Sequence, residues 1–116
     1  MITLKNKEIE SALIQIAGFN DKGQMVSGLL TENISLGLKR RLQKIHADLV
    51  EHYKTLQTDS ETLKKECEDA VKLAKEMEDL NNEEVKIDRE FVSLEMIEAI
   101  QTTQNYDFEL IEKIAQ

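Results

Sequence analysis

Lys39, Arg40, Arg41 and Lys44 place four cations within six residues and form the one concentrated positive patch of this 116-residue chain. Leu36, Leu38, Leu42, Ile45 and Leu49 keep helical spacing around the patch, which puts it in the first turns of a helix. Cations there oppose the helix dipole and cost about 0.3–1 kcal/mol each unless an anion lies beside them. Two kinds of anion fit. One is the chain's own carboxylates, paired within the molecule or between copies, which their abundance favours. The other is a phosphorylated small molecule, such as a nucleotide signal, held where an oligomer gathers several copies of Lys39, Arg40 and Arg41. Gly37 would let such a ligand come close, but no glycine-rich phosphate loop precedes the patch.

The other reactive side chains point to little chemistry. His46 and His52 lie six positions apart, on different sides of a helix, and do not share a metal in the i, i+4 manner. His52 falls on an apolar seam and reads as an imidazole at the core edge, ahead of a register-setting or pH-responsive residue. His46, with Lys44 and Asp48, reads as solvated face. The carboxylates from Glu66 to Glu84 lack the Glu-x-x-His pattern of di-metal helical bundles and read as a solvated face too. Cys67, the only cysteine, has Lys64 and Lys65 nearby but Glu66 and Glu68 as its immediate neighbours, so an activated nucleophile is not expected. Phe19, Tyr53, Phe91 and Phe108 are too scattered for a base-stacking platform and read as core plugs. No catalytic residue, metal or cofactor is expected.

One element must carry most of these groups. Leu42, Leu49, Leu56, Leu63, Ala70 and Met77 recur every seven residues, with Leu38, Ile45, Leu73 and Leu80 at the alternating offset. That is the period of a helix with a single apolar seam, which works by lying against another helix, its own or a partner's. Leu38, Leu42, Ile45, Leu49, Leu56, Leu63, Ala70 and Met77 are the expected core or interface.

Ser35 can cap this helical region, which runs to about residue 80 as a long hairpin or a coiled coil. The seam offsets at His52, Asp59 and Glu66 are polar, and Thr58-Asp59-Ser60-Glu61 matches a capping box, so a reversal at 58–60 is expected. Folding back there sets Leu56 near Leu63, Leu49 near Ala70 and Leu42 near Met77. It also sets Lys39, Arg40, Arg41 and Lys44 opposite Lys75, Glu76, Glu78 and Asp79, mostly of opposite sign. The competing reading, one helix from Ser35 to Leu80, would be about 70 Å long and would need partner chains to cover its seam.

Shorter elements flank the hairpin. Ile9, Leu13 and Ile16 mark a helix from about Asn6 to Ala17, ended by Gly18. Asn20-Asp21-Lys22-Gly23 is a turn sequence, and residues 18–33 read as an irregular connection or a small hairpin. Asn81-Asn82 would close the long helical region in a left-handed conformation. Val85 and Ile87 alternate with Lys86 and Asp88, the period of a small β element at about 85–88, paired with Gln24-Met25-Val26 or with residues 1–4. Ser93 and Asp107 cap two short C-terminal helices. The expected architecture is therefore mainly α, a single domain over 1–116.

Composition narrows the function classes. Aromatic residues make up 4% of the chain, with no Trp and no Pro, so the core is built from aliphatic side chains and Met. Residues 1–60 carry eight Lys/Arg against seven Asp/Glu, a net +1, whereas residues 61–116 carry seven against sixteen, a net −9. That acidic half repels nucleic acid, which calls for a concentrated positive footprint. A lone cysteine excludes an intramolecular disulfide and fits a reducing compartment. The opening residues lack the apolar stretch of a signal peptide, and no run approaches the roughly 20 apolar residues that span a bilayer. A cytoplasmic protein without membrane contact is expected.

Leu4-Lys5-Asn6-Lys7 opening a short helix, the segment Gly23-Gln24-Met25-Val26-Ser27-Gly28, the basic-starting helix from Ser35 and the closing Glu84-Val85-Lys86-Ile87-Asp88 strand together resemble small uncharacterised helical proteins of tailed phages and prophages. The resemblance covers the outline of most of the chain. It implies a helical hairpin protein without catalysis, resident in the host cytoplasm or the virion, acting in assembly, as a virion component or against host defence. Residues and resemblance lead to one expectation, a non-enzymatic interaction protein that binds itself or another protein through the 38–80 seam. The alternative is an oligomeric sponge or sensor of a phosphorylated small molecule at Lys39, Arg40 and Arg41.

Overall fold

Ile2 and Leu4 alternate with Thr3 and Lys5, and the alternation produces a strand, β1 (Ile2–Lys5), with both apolar residues buried. Its partner is β4 (Glu84–Ile87), antiparallel, with Ile2 opposite Ile87 and Leu4 opposite Val85. Of the two pairings open to the 85–88 segment, the chain uses the one with residues 1–4. The computed structural model describes residues 1–101 and 104–116. Among them the chain is mainly helical, with five α-helices and two small antiparallel sheets.

β1 runs directly into α1 (Asn6–Ile16), which presents Ile9, Ala12 and Ile16 to the core and stops at Ala17. A narrow hairpin follows, β2 (Gly18–Phe19) against β3 (Met25–Ser27), with the Asn20 side chain accepting from the N–H groups of Lys22 and Gln24 at its tip. A 3-10 turn at Leu29–Thr31 then drops Leu29 and Leu30 into the core. Ser35 caps α2 (Leu36–Glu66), its Oγ accepting from Leu38 N–H at 3.2 Å. After α3 (Ala70–Asn82) and β4, Ser93 caps α4 (Leu94–Glu98) and Asp107 caps α5 (Phe108–Ile114). The C-terminal residues are tied in by backbone bonds between Val92 and both Ile114 and Gln116, each 3.0 Å. The core thus draws on both ends of the chain, from Ile2 to Ala115.

The long helix differs from both expectations. It does not reverse at 58–60, nor does it run on to Leu80. α2 continues for 31 residues, about 46 Å at 1.5 Å per residue, and ends at Cys67. The threonine hydroxyls of this stretch serve another purpose. Thr58 Oγ1 donates to the Lys54 carbonyl at 3.2 Å and Thr62 Oγ1 to the Thr58 carbonyl at 3.0 Å, bonds a mid-helix threonine makes to the preceding turn. The reversal lies at residues 67–69, where Asp69 is the true cap and accepts from Val71 N–H at 3.0 Å.

Two further expectations change. α3 ends at Asn82, but through an extended Glu83 with φ −64°, not a left-handed Asn, because the chain must enter β4 at once. Phe19 and Phe108 are 53% and 46% exposed rather than core plugs, while Tyr53 and Phe91 are half-buried and do pack against the core. Pure aliphatic packing already fills the interior.

Candidate interaction surface

The seam read as one stripe is divided by the tertiary structure. Its first half, Leu38, Leu42, Ile45 and Leu49, is buried against α1 and the core, no residue more than 4% exposed. Its second half leaves the core altogether. Leu56 and Leu63 on α2, and Leu73, Met77 and Leu80 on α3, are half-buried, and none of them belongs to the core or packs against it. Ala70, expected in the seam, is exposed, and Val71 beside it is 81% exposed. α3 has no fully buried residue.

This arm, the distal part of α2 with α3, is open on its flanks. A recess of about 500 Å³ is lined by Leu63, Glu76, Asp79, Leu80, Asn82 and Glu83. A second, of about 300 Å³, lies among Tyr53, Leu56, Gln57, Ser60, Glu61, Lys64 and Asn81. The arm is fastened to the body at its inner end by Asn6. The buried Asn6 side chain donates from Nδ2 to the Leu80 carbonyl at 2.7 Å, and its backbone N–H donates to the Glu83 carbonyl at 3.0 Å.

The basic patch stands free. Lys39, Arg40, Arg41 and Lys44 are all exposed, and among the described residues none forms an ion pair. The expected intramolecular partners Glu76, Glu78 and Asp79 do not meet them. A turn at 67–69 instead of 58–60 carries Glu76 and Asp79 beside Leu63, a residue about 33 Å along α2 from Arg41. Ion pairs join Arg89 to Asp48 at 2.6 Å, Lys54 to Glu51 at 3.9 Å and Lys113 to Glu8.

A recess of about 200 Å³ gathers Arg41 and Lys44 with Ile45, Arg89 and Glu90, but not Lys39 or Arg40. Arg89 was not legible in the sequence, since it arrives from the loop after β4 and no local pattern links it to α2. Its guanidinium holds the Asp48 carboxyl below the usual carboxylate range by a direct hydrogen bond. Another recess, of about 530 Å³, was equally silent in the sequence; it lies between the start of α2 and α4, lined by Ser35, Leu38, Met96 and Ile100 among others.

His46 is not a solvated residue. It is half-buried, its ring centroid 6.3 Å from that of Phe19, and burial lowers its pKa. His52 is half-buried as well. Cys67 is a free, half-buried thiol in the turn between α2 and α3. Among the described residues no three His, Cys, Asp or Glu side chains are arranged to hold a metal ion, and no helix is long and apolar enough to cross a membrane.

Comparison with family models, with curated proteins and with solved structures finds no match for this chain.

Proposed function

We propose that this protein is a non-enzymatic interaction or assembly protein, of the phage type its outline resembles, that self-associates in coiled-coil fashion through the arm of distal α2 and α3. One observation carries the reading. Leu56, Leu63, Leu73, Met77 and Leu80 keep the seam spacing, yet all five remain outside the core. Complete burial of a Leu or Met side chain stabilises by about 1.5–3 kcal/mol, so a second apolar surface laid on this stripe has substantial free energy to gain. The proximal residues Leu38, Leu42, Ile45 and Leu49 serve the fold instead.

Light scattering across a concentration series, paired with small-angle X-ray scattering, tests this. Self-association is expected, with the isolated protomer no longer than about 50 Å. Glu substitutions at Leu63 and Met77 should abolish association and leave helicity intact. A wild-type chain that stays monomeric at all concentrations overturns the reading.

A second reading has a specific observation in its favour, the recess that joins Arg41 and Lys44 to Arg89. It would take a phosphorylated small molecule such as a nucleotide signal. Glu90 in the same lining and the Asp48 partner of Arg89 reduce its positive charge, which places it second. A thermal-shift screen of nucleotides decides it, because a ligand at one hundred times its dissociation constant stabilises by about 2.7 kcal/mol. An unchanged melting curve removes the proposal.

A further inference from the structure

We infer that the outer face of the first turns of α2, together with the β2–β3 hairpin beside it, docks an acidic amphipathic helix of a partner protein. The inference stands apart from the self-association reading, since none of its residues lies on the arm.

Unrelieved positive charge is the first half of the argument. Residues 36–47 hold Lys39, Arg40, Arg41 and Lys44 and no carboxylate. In the first turns of a helix these cations oppose its dipole, and Lys44 stands four residues from Arg40 and three from Arg41, spacings at which like charges repel. Among the described residues none of the four forms an ion pair. Asp48, the next acid along α2, is bonded to Arg89, and Glu90 shares a recess with Arg41 and Lys44. Lys39 and Arg40 lie outside that recess.

Exposed apolar side chains are the second half. Leu36, one turn before Lys39 and Arg40, is 62% exposed. Phe19 and Met25 stand opposite each other in the hairpin, so their side chains share a face, and Val26 is the extra residue of the register shift. All three are exposed. The Phe19 ring packs near His46, which is seven residues from Lys39 and so about 20° away around the helix. A helical side chain leans toward the N-terminus of its helix, which sets the His46–Phe19 contact on the Lys39 side. Arg41 and Lys44 are about 140–160° around from His46, toward Arg89.

Cations and apolar side chains on one surface select the occupant. A helix whose apolar stripe rests on Leu36, Phe19 and Met25, with carboxylates reaching Lys39 and Arg40, satisfies both. A free phosphate would leave the apolar side chains in water, and nucleic acid would meet a chain of net charge −8. From Leu36 to Ala47 the helix rises about 17 Å, or about three turns of such a partner.

The test titrates the full chain with three synthetic peptides of about 18 residues. One carries a leucine stripe at helical spacing with Glu elsewhere, one the same stripe with Lys, and one is the Glu peptide scrambled. The Glu peptide should bind, shift the amide signals of residues 19–26 and 36–47, and lose affinity at least about tenfold from low to high salt. The other two should bind at least about tenfold more weakly. Non-specific attraction to an acidic chain favours the Lys peptide, so this order is diagnostic. Lys39→Glu with Arg40→Glu, and separately Phe19→Ala with Met25→Ala, should each weaken the Glu peptide at least about tenfold. All four positions are exposed, and circular dichroism verifies the fold. A Glu peptide that does not bind, binds no better than the Lys peptide, or binds either variant as it binds the wild type overturns the inference. So does its displacement by inorganic phosphate or duplex DNA at equal concentration, or a self-dimer that Lys39→Glu with Arg40→Glu dissolves. A monomeric chain that binds the Glu peptide overturns the self-association reading alone, and a self-associating chain that ignores the peptide overturns this inference alone.

Discussion

Asn6 Nδ2 donates a 2.7 Å hydrogen bond to the carbonyl of Leu80, joining residues 74 positions apart. Asn6 is the one buried polar residue among the described residues, and its partner lies in the last turn of α3, where the Leu80 carbonyl otherwise accepts only a 3.2 Å bond from the Glu83 N–H of the cap. With the Asn6 N–H bond to Glu83 at 3.0 Å, it fastens the inner end of the arm beside the β1–β4 pair. Asn6→Ala leaves the Leu80 carbonyl without this donor and should destabilise the fold by about 1 kcal/mol. Hydrogen exchange should quicken first in α3 and β4. Uniform exchange across α1 and α3 would show that the bond does not hold the arm.

The split of the seam gives two classes of leucine. Leu42 and Leu49 are wholly buried, and truncation of either to Ala should cost about 2–5 kcal/mol through the cavity left behind. Leu63→Ala removes a half-buried side chain outside the core and should cost the monomer less than about 1 kcal/mol. Urea unfolding at low protein concentration measures both. Equal losses at Leu49 and Leu63 would contradict the division, and a charged residue at Leu49 that leaves folding and association intact would remove this half of the seam from the core.

Gly28 and Gly37 should respond to Ala with opposite signs. Gly28 has φ +99°, and an added Cβ would stand 2.5 Å from the Ile16 carbonyl oxygen, so the substitution strains the backbone and displaces the end of α1. Gly37 lies in the first turn of α2 with nothing within 4 Å of its added Cβ. Gly37→Ala should stabilise by about 0.5–1 kcal/mol through helix propensity and reduced unfolded-state entropy. Thermal unfolding of the two variants checks both signs.

His46 should make stability fall as the pH drops from 7 to 5. Burial lowers its folded pKa below the unfolded value of about 6.5, so the unfolded chain takes up the proton first. The contribution is complete above that value and is lost as the pH falls toward the folded one. His46→Gln should flatten the pH 7 to 5 interval; the same slope in wild type and variant would assign it elsewhere. A second decline should remain in the variant below about pH 4. It comes from Asp48, lowered by its hydrogen bond from Arg89, and from Glu8. Burial pushes Glu8 up, but bonds from Lys113 and the Lys5 N–H, with the charges of both lysines, outweigh it and hold it below the usual range. Both carboxylates contribute above their unfolded values and lose that contribution as they protonate.

What was legible in the sequence is what short stretches of chain decide alone. Ser35, Ser93 and Asp107 each cap the helix expected of them, because a cap joins a side chain to a backbone N–H two or three residues away. A small hairpin within 18–33 and a β element at about 85–88 were in reach for the same reason, written in turn residues or in alternation, whereas the choice of residues 1–4 over Gln24-Met25-Val26 as its partner was left to the fold. Thr58 shows the limit of that logic. A threonine hydroxyl satisfies a helix start and a continuing helix equally well, and the motif does not say which. The structure instead starts the next helix at Asp69, whose side chain accepts from the Val71 N–H.

By itself, the sequence determined that this chain is mainly helical, that a seven-residue apolar period runs from Leu38 to Leu80, and that its charges divide into a nearly neutral first half and an acidic second. Only the tertiary structure decided which part of that period becomes core. Full burial of α2 ends at Leu49, with Tyr53 the last residue packed against the core, and past that point the arm leaves Leu56, Leu63 and Met77 half open to water. Periodicity places residues on a face but is blind to how far a neighbouring element reaches. That reach depends on packing among residues as distant as Asn6 and Leu80, and on a turn nine residues later than local rules suggested. The same shift left the basic block of α2 without the carboxylates it was expected to meet.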